Sequence, residues 1–212
     1  MQGYKKLLSY QLSKIAFDLT WELAPVLYPT FEDSRQRSQL KQAARSLKQN
    51  IVEGSEERSF SSKLKLWDVA RSSGGELIED GEDFLRQNNL PRWHKNDPRL
   101  AQLRMSLEGY HPFSRSAPSC SPVTSRSSVT SSTPLPRVTI TTVLRAAGST
   151  RSNRSTRLTR EELEIVLNYL LDALIRCGYL LDKQINAIEK KHQTEGGYTE
   201  KLYRRRQAYR GY

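Results

Sequence analysis

The sequence predicts an all-α protein, an up-and-down antiparallel four-helix bundle. Three observations predict it. Apolar residues recur at spacings of three and four through four long stretches, which places them on one side of a helix. No stretch reads as a strand. Helix-stop and turn signals fall between the stretches, so each rod can fold back on the last.

The first helix is expected from about Tyr4 to Tyr28, with Leu8, Leu12, Ile15, Leu19, Leu23 and Leu27 as its seam. Pro25 disturbs its last turn and Pro29 ends it. The second runs from Ser34 to Gly54 and buries Leu40, Ala43, Ala44, Leu47 and Ile51. Small Ala43 and Ala44 admit a close neighbour, and Gly54 suits a left-handed cap. The third opens at Ser61 or Ser62 and runs to about Asn88, with Leu64, Trp67, Ala70, Gly74, Leu77, Gly81 and Leu85 on one side. "NNLPRW" ends it. Asp97 as cap and Pro98 as first helical residue start a short helix carrying Leu100, Leu103 and Leu107. The fourth long helix starts at Thr159, whose "TREE" is a capping-box pattern. Its seam passes through Leu163, Leu167, Leu170, Leu174, Cys177, Leu181 and Ile188 before "EGG" breaks it.

Residues 111–157 differ in kind. They are rich in Ser, Thr, Pro and Arg and show no helical period. They read as a disordered connection, with at most a short extended piece near Val138–Val143. The organisation is therefore helices one to three plus a short helix over 1–110, the linker over 111–157, the fourth bundle helix over 158–192, and a basic Tyr/Arg-rich tail over 193–212. The tail is expected to hold one or two helical turns. The fourth helix joins the others despite the long connection, because closure entropy grows slowly with loop length.

The charge is segregated. The formal net charge is +11 in 212 residues. Residues 1–110 carry 17 basic against 15 acidic side chains, 111–160 carry 8 Arg and no acid, and 161–212 carry 9 basic against 8 acidic. A basic balance points to nucleic acid, an anionic surface or acidic partners. Only Cys120 and Cys177 are present, which makes neither a disulfide framework nor a zinc pattern. The amphipathic first residues do not form a signal peptide, and no 18-residue apolar run exists. A cytoplasmic protein with no membrane association is expected.

Several motifs together resemble a known family. "YKKLLSYQ", "QAARSLKQNIVEGS", "VARSSGGELIEDGEDFLRQNNLPRW", "YLLDKQI" and "EGGYTEKLYRRR" occur in order. They resemble four-helix bundle suffix proteins, relatives of the bundle proteins of ribosomal RNA intervening sequences. The accessory variability determinant of diversity-generating retroelements looks like a further relative. The resemblance covers roughly 1–110 and 160–206. It implies an up-and-down four-helix bundle. For the retroelement relative it implies a homo-oligomer, a pentameric ring, that binds nucleic acid and a reverse transcriptase without catalysis of its own. Gly74, Gly75 and Gly81 depart from the family's more helix-favouring pattern, and 111–157 does not resemble the family.

Two sets of residues are candidates for binding RNA or DNA. Arg37, Lys41, Arg45 and Lys48 step by four, four and three, so they share an arc of about 80° on the second helix. Such a row can track phosphates, or it can be a solvated face balanced by acids on a neighbour. Asn50 and Glu53 are expected to fasten the bundle near the Gly54 turn. In the tail, Lys201, Arg204, Arg205, Arg206 and Arg210 interleave with Tyr198, Tyr203, Tyr209 and Tyr212. Rings that stack bases beside cations that meet phosphates suit single-stranded nucleic acid, and packing of the tyrosines on the bundle or a subunit is the alternative.

No enzyme emerges. Glu76, Glu79, Asp80, Glu82 and Asp83 cluster on the third helix, but no Glu-x-x-His motif faces them, as a di-metal bundle requires. An acidic surface is the plainer reading, and a metal-dependent hydrolase the weaker one. No phosphate-loop pattern or nucleophile–base set is present, and no metal, cofactor or catalytic residue is assigned. Trp21, Trp67 and Trp93 are expected as core or interface anchors. The expectation is a non-enzymatic nucleic-acid-binding bundle and, by the resemblance, an accessory subunit for a reverse transcriptase in a diversity-generating retroelement. A protein-interaction scaffold is the alternative.

Overall fold

A computed structural model of the chain describes residues 3–108, 137–149 and 158–211. The described residues are helical, with no strand among them. A 3-10 turn at Gly3–Lys6 leads into α1 (Leu8–Leu27), α2 (Ser34–Glu56), α3 (Phe60–Gln87), α4 (Pro98–Glu108), α5 (Ile140–Ala146), α6 (Arg160–Glu195) and α7 (Tyr198–Arg210).

The caps explain several boundaries. Ser59 accepts from the backbone N–H of Ser62 and opens α3. The Asp97 carboxylate accepts from the Arg99 backbone N–H and opens α4. Thr159 and Glu162 form the expected capping box, at 3.2 and 2.9 Å, and launch the 36-residue α6. Pro25 lies in the last turn of α1, where the Tyr28 N–H still reaches Ala24 O.

Most residues of the predicted seams are buried, while Leu8, Leu27, Leu64, Leu163 and Ile188 are half-buried at their ends. Leu12, Ile15, Leu19 and Leu23 of α1 meet Leu40, Leu47 and Ile51 of α2, Leu77 and Leu85 of α3, and Leu167, Leu174 and Leu181 of α6 in one core. Successive contacts run in opposite directions along the chain. Arg37 and Lys48 of α2 meet Tyr28 and Phe17 of α1, respectively. Ile51 and Leu47 meet Trp67 and Gly74 of α3. Arg71 and Gly81 of α3 meet Asp182 and Leu171 of α6. Near its start α1 holds Cys177 and Gln184 through Ser9, and near its end Leu23 shares a cavity with Leu167. α1, α2, α3 and α6 therefore contribute to one shared core.

Of the unexpected glycines of α3, Gly81 has a packing reason: a Cβ there would stand 2.8 Å from Leu171 Cδ2, whereas one on Gly74 would make ordinary contact with Leu47 and one on Gly75 would meet nothing. Gly54 differs from expectation. It is not a left-handed cap but a buried residue inside α2, which continues to Glu56. A Cβ there would meet the Trp67 ring at 2.6 Å, so the missing side chain is what lets α3 close on α2.

The segment expected to be extended near Val138–Val143 is instead helical in α5. Thr139 and Thr142 cap it reciprocally, and Glu22 of α1 accepts from the Ile140 N–H at 2.9 Å. Val138, Val143 and Leu144 are buried. Capping and burial outweigh the poor helix propensity of a β-branched run. Residues 111–136 and 150–157 of the expected linker lie outside the described residues, as does Tyr212.

Polar pins join the elements. The Asn168 side chain accepts from the Trp93 N–H at 2.7 Å and donates to Pro91 O, fixing the turn after α3 to α6. Arg176 donates to both Glu108 oxygens and to Asp172, and Arg104 donates to Asp172 at 2.9 Å. Tyr169 O–H donates to Glu108 at 3.0 Å. This knot, two guanidinium groups against two carboxylates, locks α4 to α6.

Candidate nucleic-acid interface

α2 brings its row of cations against α1. Of the row only Arg45, at its outer edge, is exposed, and the other three are half-buried. Arg37 donates to Tyr28 O at 3.0 Å. The Lys41 amine lies 4.7 Å from the centre of the Trp21 ring, and the Lys48 amine lies 3.6 Å from that of Phe17. Phe17 and Trp21 are themselves 5.4 Å apart. The face is thus a ladder of alternating cations and rings, not an open row of lysines. Neither Arg37 nor Arg45 is sealed against a carboxylate among the described contacts.

Trp21 is not a core anchor. It is 45% exposed, whereas Trp67 and Trp93 are buried. The row's charge is also modulated. Burial lowers the Lys48 pKa, with Asp18 opposing and Lys14 and Arg45 adding to the effect. Burial raises the Asp18 carboxyl, against the pull of Lys14, Arg137 and Lys48. Asn50 and Glu53 serve differently from expectation. Asn50 donates to Ser46 of its own helix, and Ser46 in turn accepts from Ser73 of α3. Glu53 is exposed.

The basic tail is helical over 13 residues, longer than one or two turns, and no residue of it is buried. Arg204, Arg205, Arg206 and Arg210 are exposed, as are Tyr198, Tyr203 and Tyr209. At 100° per residue, Tyr198, Leu202, Arg205 and Tyr209 fall on one side of α7. Lys201 is half-buried, its amine 5.3 Å from the centre of the Phe60 ring.

Sequence reading missed the ring partners of Lys41 and Lys48, because Phe17 and Trp21 sit on another helix and no spacing rule links them to the cations. The spacing of Phe17 and Trp21, i and i+4 on the polar side of the α1 seam, is the signal that could have found them.

The other polar groups do not make a reactive site. Burial pushes the Cys177 thiol up to about 12, which leaves it protonated and inert. Burial and the Glu108 carboxylate hold the Tyr169 hydroxyl well above its ordinary range. The acids of α3 lie at the surface, with Asp80 partly desolvated where it lines the cavity beside Thr20; Asp83 pairs with Arg86, and Glu82 with Arg92. Among the described residues, no group of three or more His, Cys, Asp or Glu is placed to hold a metal ion. No described helix is long and apolar enough to cross a membrane.

Fold and face together define an all-α protein with a ring-and-cation surface. No family model, curated protein or solved structure matches the chain.

Proposed function

We propose that this chain is an up-and-down four-helix bundle that binds single-stranded RNA or DNA without catalysing a reaction on it. One observation carries the reading: exposed Trp21 and its neighbour Phe17 lie on the same face as Lys41, Arg45 and Lys48. A single strand presents phosphates and bases together, so its ligand face needs cations and rings together. In this reading Lys41 swings from the Trp21 ring to a phosphate, and the uncovered ring receives a base. Arg45 adds a second phosphate contact, and α7 extends the basic surface with Arg204, Arg205, Arg206 and Arg210. The motif resemblance supports the same class. It adds a homo-oligomeric assembly, a pentamer in the retroelement relative, and service to a reverse transcriptase.

The test is a fluorescence titration with a labelled single-stranded oligonucleotide at several salt concentrations. Trp67 and Trp93 are buried, so quenching reports on Trp21. Binding that quenches tryptophan and weakens linearly on a log–log salt plot supports the reading. Arg45→Ala should lower affinity and flatten that slope, whereas Trp21→Ala should lower affinity at an unchanged slope. No binding at low salt, or binding indifferent to both substitutions, refutes it.

The protein-scaffold alternative draws on the exposed side of α7 formed by Tyr198, Leu202 and Tyr209. Nuclease treatment before a pull-down separates the two: a partner retained after digestion favours the scaffold.

A further inference from the structure

α7 has no place in the core. None of its 13 residues is buried, and Tyr198, Leu202 and Tyr209 stand exposed on one side of it together with Arg205. An apolar helix side left open in this way is what a helix presents to a partner. Its charge says which kind of partner. Lys201, Arg204, Arg205, Arg206 and Arg210 are set against one carboxylate, Glu200. Among the described residues, no ion pair joins Arg204, Arg205, Arg206 or Arg210 to an acid.

A surface of opposite sign lies elsewhere on the same molecule. Glu76, Glu79, Asp80, Glu82 and Asp83 stand on α3 with no basic residue between them. Asp83 and Glu82 have Arg86 and Arg92, whereas Glu76, Glu79 and Asp80 make no ion pair among the described residues. Apolar surface accompanies these acids too. Phe31 is 90% exposed on the turn between α1 and α2. The Thr30 hydroxyl donates to the Asp33 carboxylate at 2.6 Å, so the ring is held out on a fixed turn. That turn adjoins the acids of α3: burial, then Asp80, Asp33 and Asp83, raises the pKa of Tyr28.

The two surfaces cannot meet within one chain. Lys201 holds α7 at Phe60, the first residue of α3, with its amine 5.3 Å from the ring centre. Asp80 lies about 30 Å further along α3 at 1.5 Å per residue, and the part of α7 beyond Lys201 spans only about 14 Å. Complementary charges that no single chain can bring together are free to meet between chains.

We propose that α7 of one copy docks, through its Tyr198–Leu202–Tyr209 side, on the acid-lined side of α3 and the Phe31 turn of a second copy. The occupant is a second copy because every chain carries both halves of the match, the basic aromatic helix and the acidic surface with its exposed ring. The contact is heterologous, so each pair still offers one α7 and one acidic surface, and copies add until the contacts close. One side of α7 covers about 20 by 10 Å, well under the about 800 Å² per partner of a stable complex. Charge therefore carries the association, and salt weakens it. The docking goes beyond the proposed function, which leaves the contact between copies unspecified. It also competes with that function, since a strand held by Arg205 and Arg206 displaces the neighbour.

The experiment is sedimentation velocity of the nuclease-treated full chain over a range of protein and salt concentrations. Two charge-reversed chains accompany it, Glu76→Lys/Glu79→Lys on α3 and Arg205→Glu/Arg206→Glu on α7, with circular dichroism to show that all are equally helical. The unmodified chain should associate at low salt and become monomeric at high salt. Each reversed chain alone should associate at least about tenfold more weakly, because like charges then face each other. Mixing the two reversed chains should restore association, because each again meets the opposite charge. A monomeric parent at low salt overturns the docking. So does association indifferent to salt or to either reversal, and so does a mixture that stays monomeric. Trp21 quenching by an oligonucleotide is read separately on the chain reversed at α3, whose α1–α2 face and α7 are unaltered. Its absence overturns the proposed function and leaves the docking to the sedimentation result.

Discussion

Three single positions expose the energetics of the packing. Thr20 is fully buried on α1 beside a cavity of about 10 Å³, and its hydroxyl has no hydrogen-bond partner among the described residues. A buried hydroxyl without a partner costs about 1–3 kcal/mol, and valine has nearly the same shape without that cost. Thr20→Val should therefore raise the urea midpoint by an amount equivalent to about 1 kcal/mol. Unchanged or lower stability would show that the hydroxyl is satisfied. Gly75 and Gly81 make a matched pair within α3. Nothing lies within 4 Å of a Cβ added at Gly75, so Gly75→Ala should gain the ordinary helix-propensity benefit of about 1 kcal/mol. At Gly81 the same methyl meets Leu171, and overpacking of about 1–3 kcal/mol should outweigh that benefit. Opposite shifts in thermal midpoint for two identical substitutions six residues apart would confirm that Gly81 sets the α3–α6 approach.

Helices differ in how openly the sequence declares them. The seams of α1, α2, α3 and α6 were legible because burial on one side of a long rod leaves a period, and Leu47, Leu77 and Leu174 are indeed buried. The capping box at Thr159 was legible because both partners lie within four residues. α5 was not, since seven residues give too short a period, its Thr139–Thr142 box sits in a Ser/Thr-rich stretch where such a pair does not stand out, and the Glu22 carboxylate that also meets Ile140 N–H lies 118 positions earlier. The Glu108–Arg176–Asp172–Arg104 knot was invisible for the same reason. Its cross-helix bonds span 68 positions, and no spacing rule connects them. That knot predicts asymmetry. Arg176→Met leaves two buried carboxylates short of a cation and should cost about 3–5 kcal/mol by urea unfolding, far more than loss of the exposed Arg71–Asp182 pair. On α3 one acid, Asp80, acts against stability. Burial, then Glu76 and Asp83, raises the Asp80 carboxyl pKa. The folded chain therefore binds that proton more tightly than the unfolded chain does. The resulting penalty is fully present at neutral pH and fades as pH falls through the raised value. Asp80→Asn should be more stable than the parent at pH 7 and equal to it below the ordinary carboxylate range. A gain that persists undiminished in acid would contradict the electrostatic cause.

Taken as one body, the molecule separates what holds it together from what it offers. Its described core is built from α1 to α6 and the turns between them, and no residue of α7 is buried. The exposed basic helix therefore contributes little to stability, its contact through Lys201 and Phe60 being a partly exposed cation–ring pair worth about 0.5–1 kcal/mol. Yet α7 carries five cations against one carboxylate, a large share of the surface charge outside the α1–α2 face. Ending the chain after Glu195 should consequently leave helicity per residue and thermal midpoint nearly unchanged. Its effect should fall on binding. If α7 meets phosphates, each lost contact reduces the salt slope for single-stranded nucleic acid by about 0.7, so losing three or more should shift that slope by about 2 and weaken affinity most at low salt. Trp21 quenching should survive the truncation, because the ring lies on α1 and keeps its neighbours Phe17 and Lys41. A truncated chain that unfolds would show that α7 is part of the core. One that binds with an unchanged salt slope would confine the ligand to the α1–α2 face.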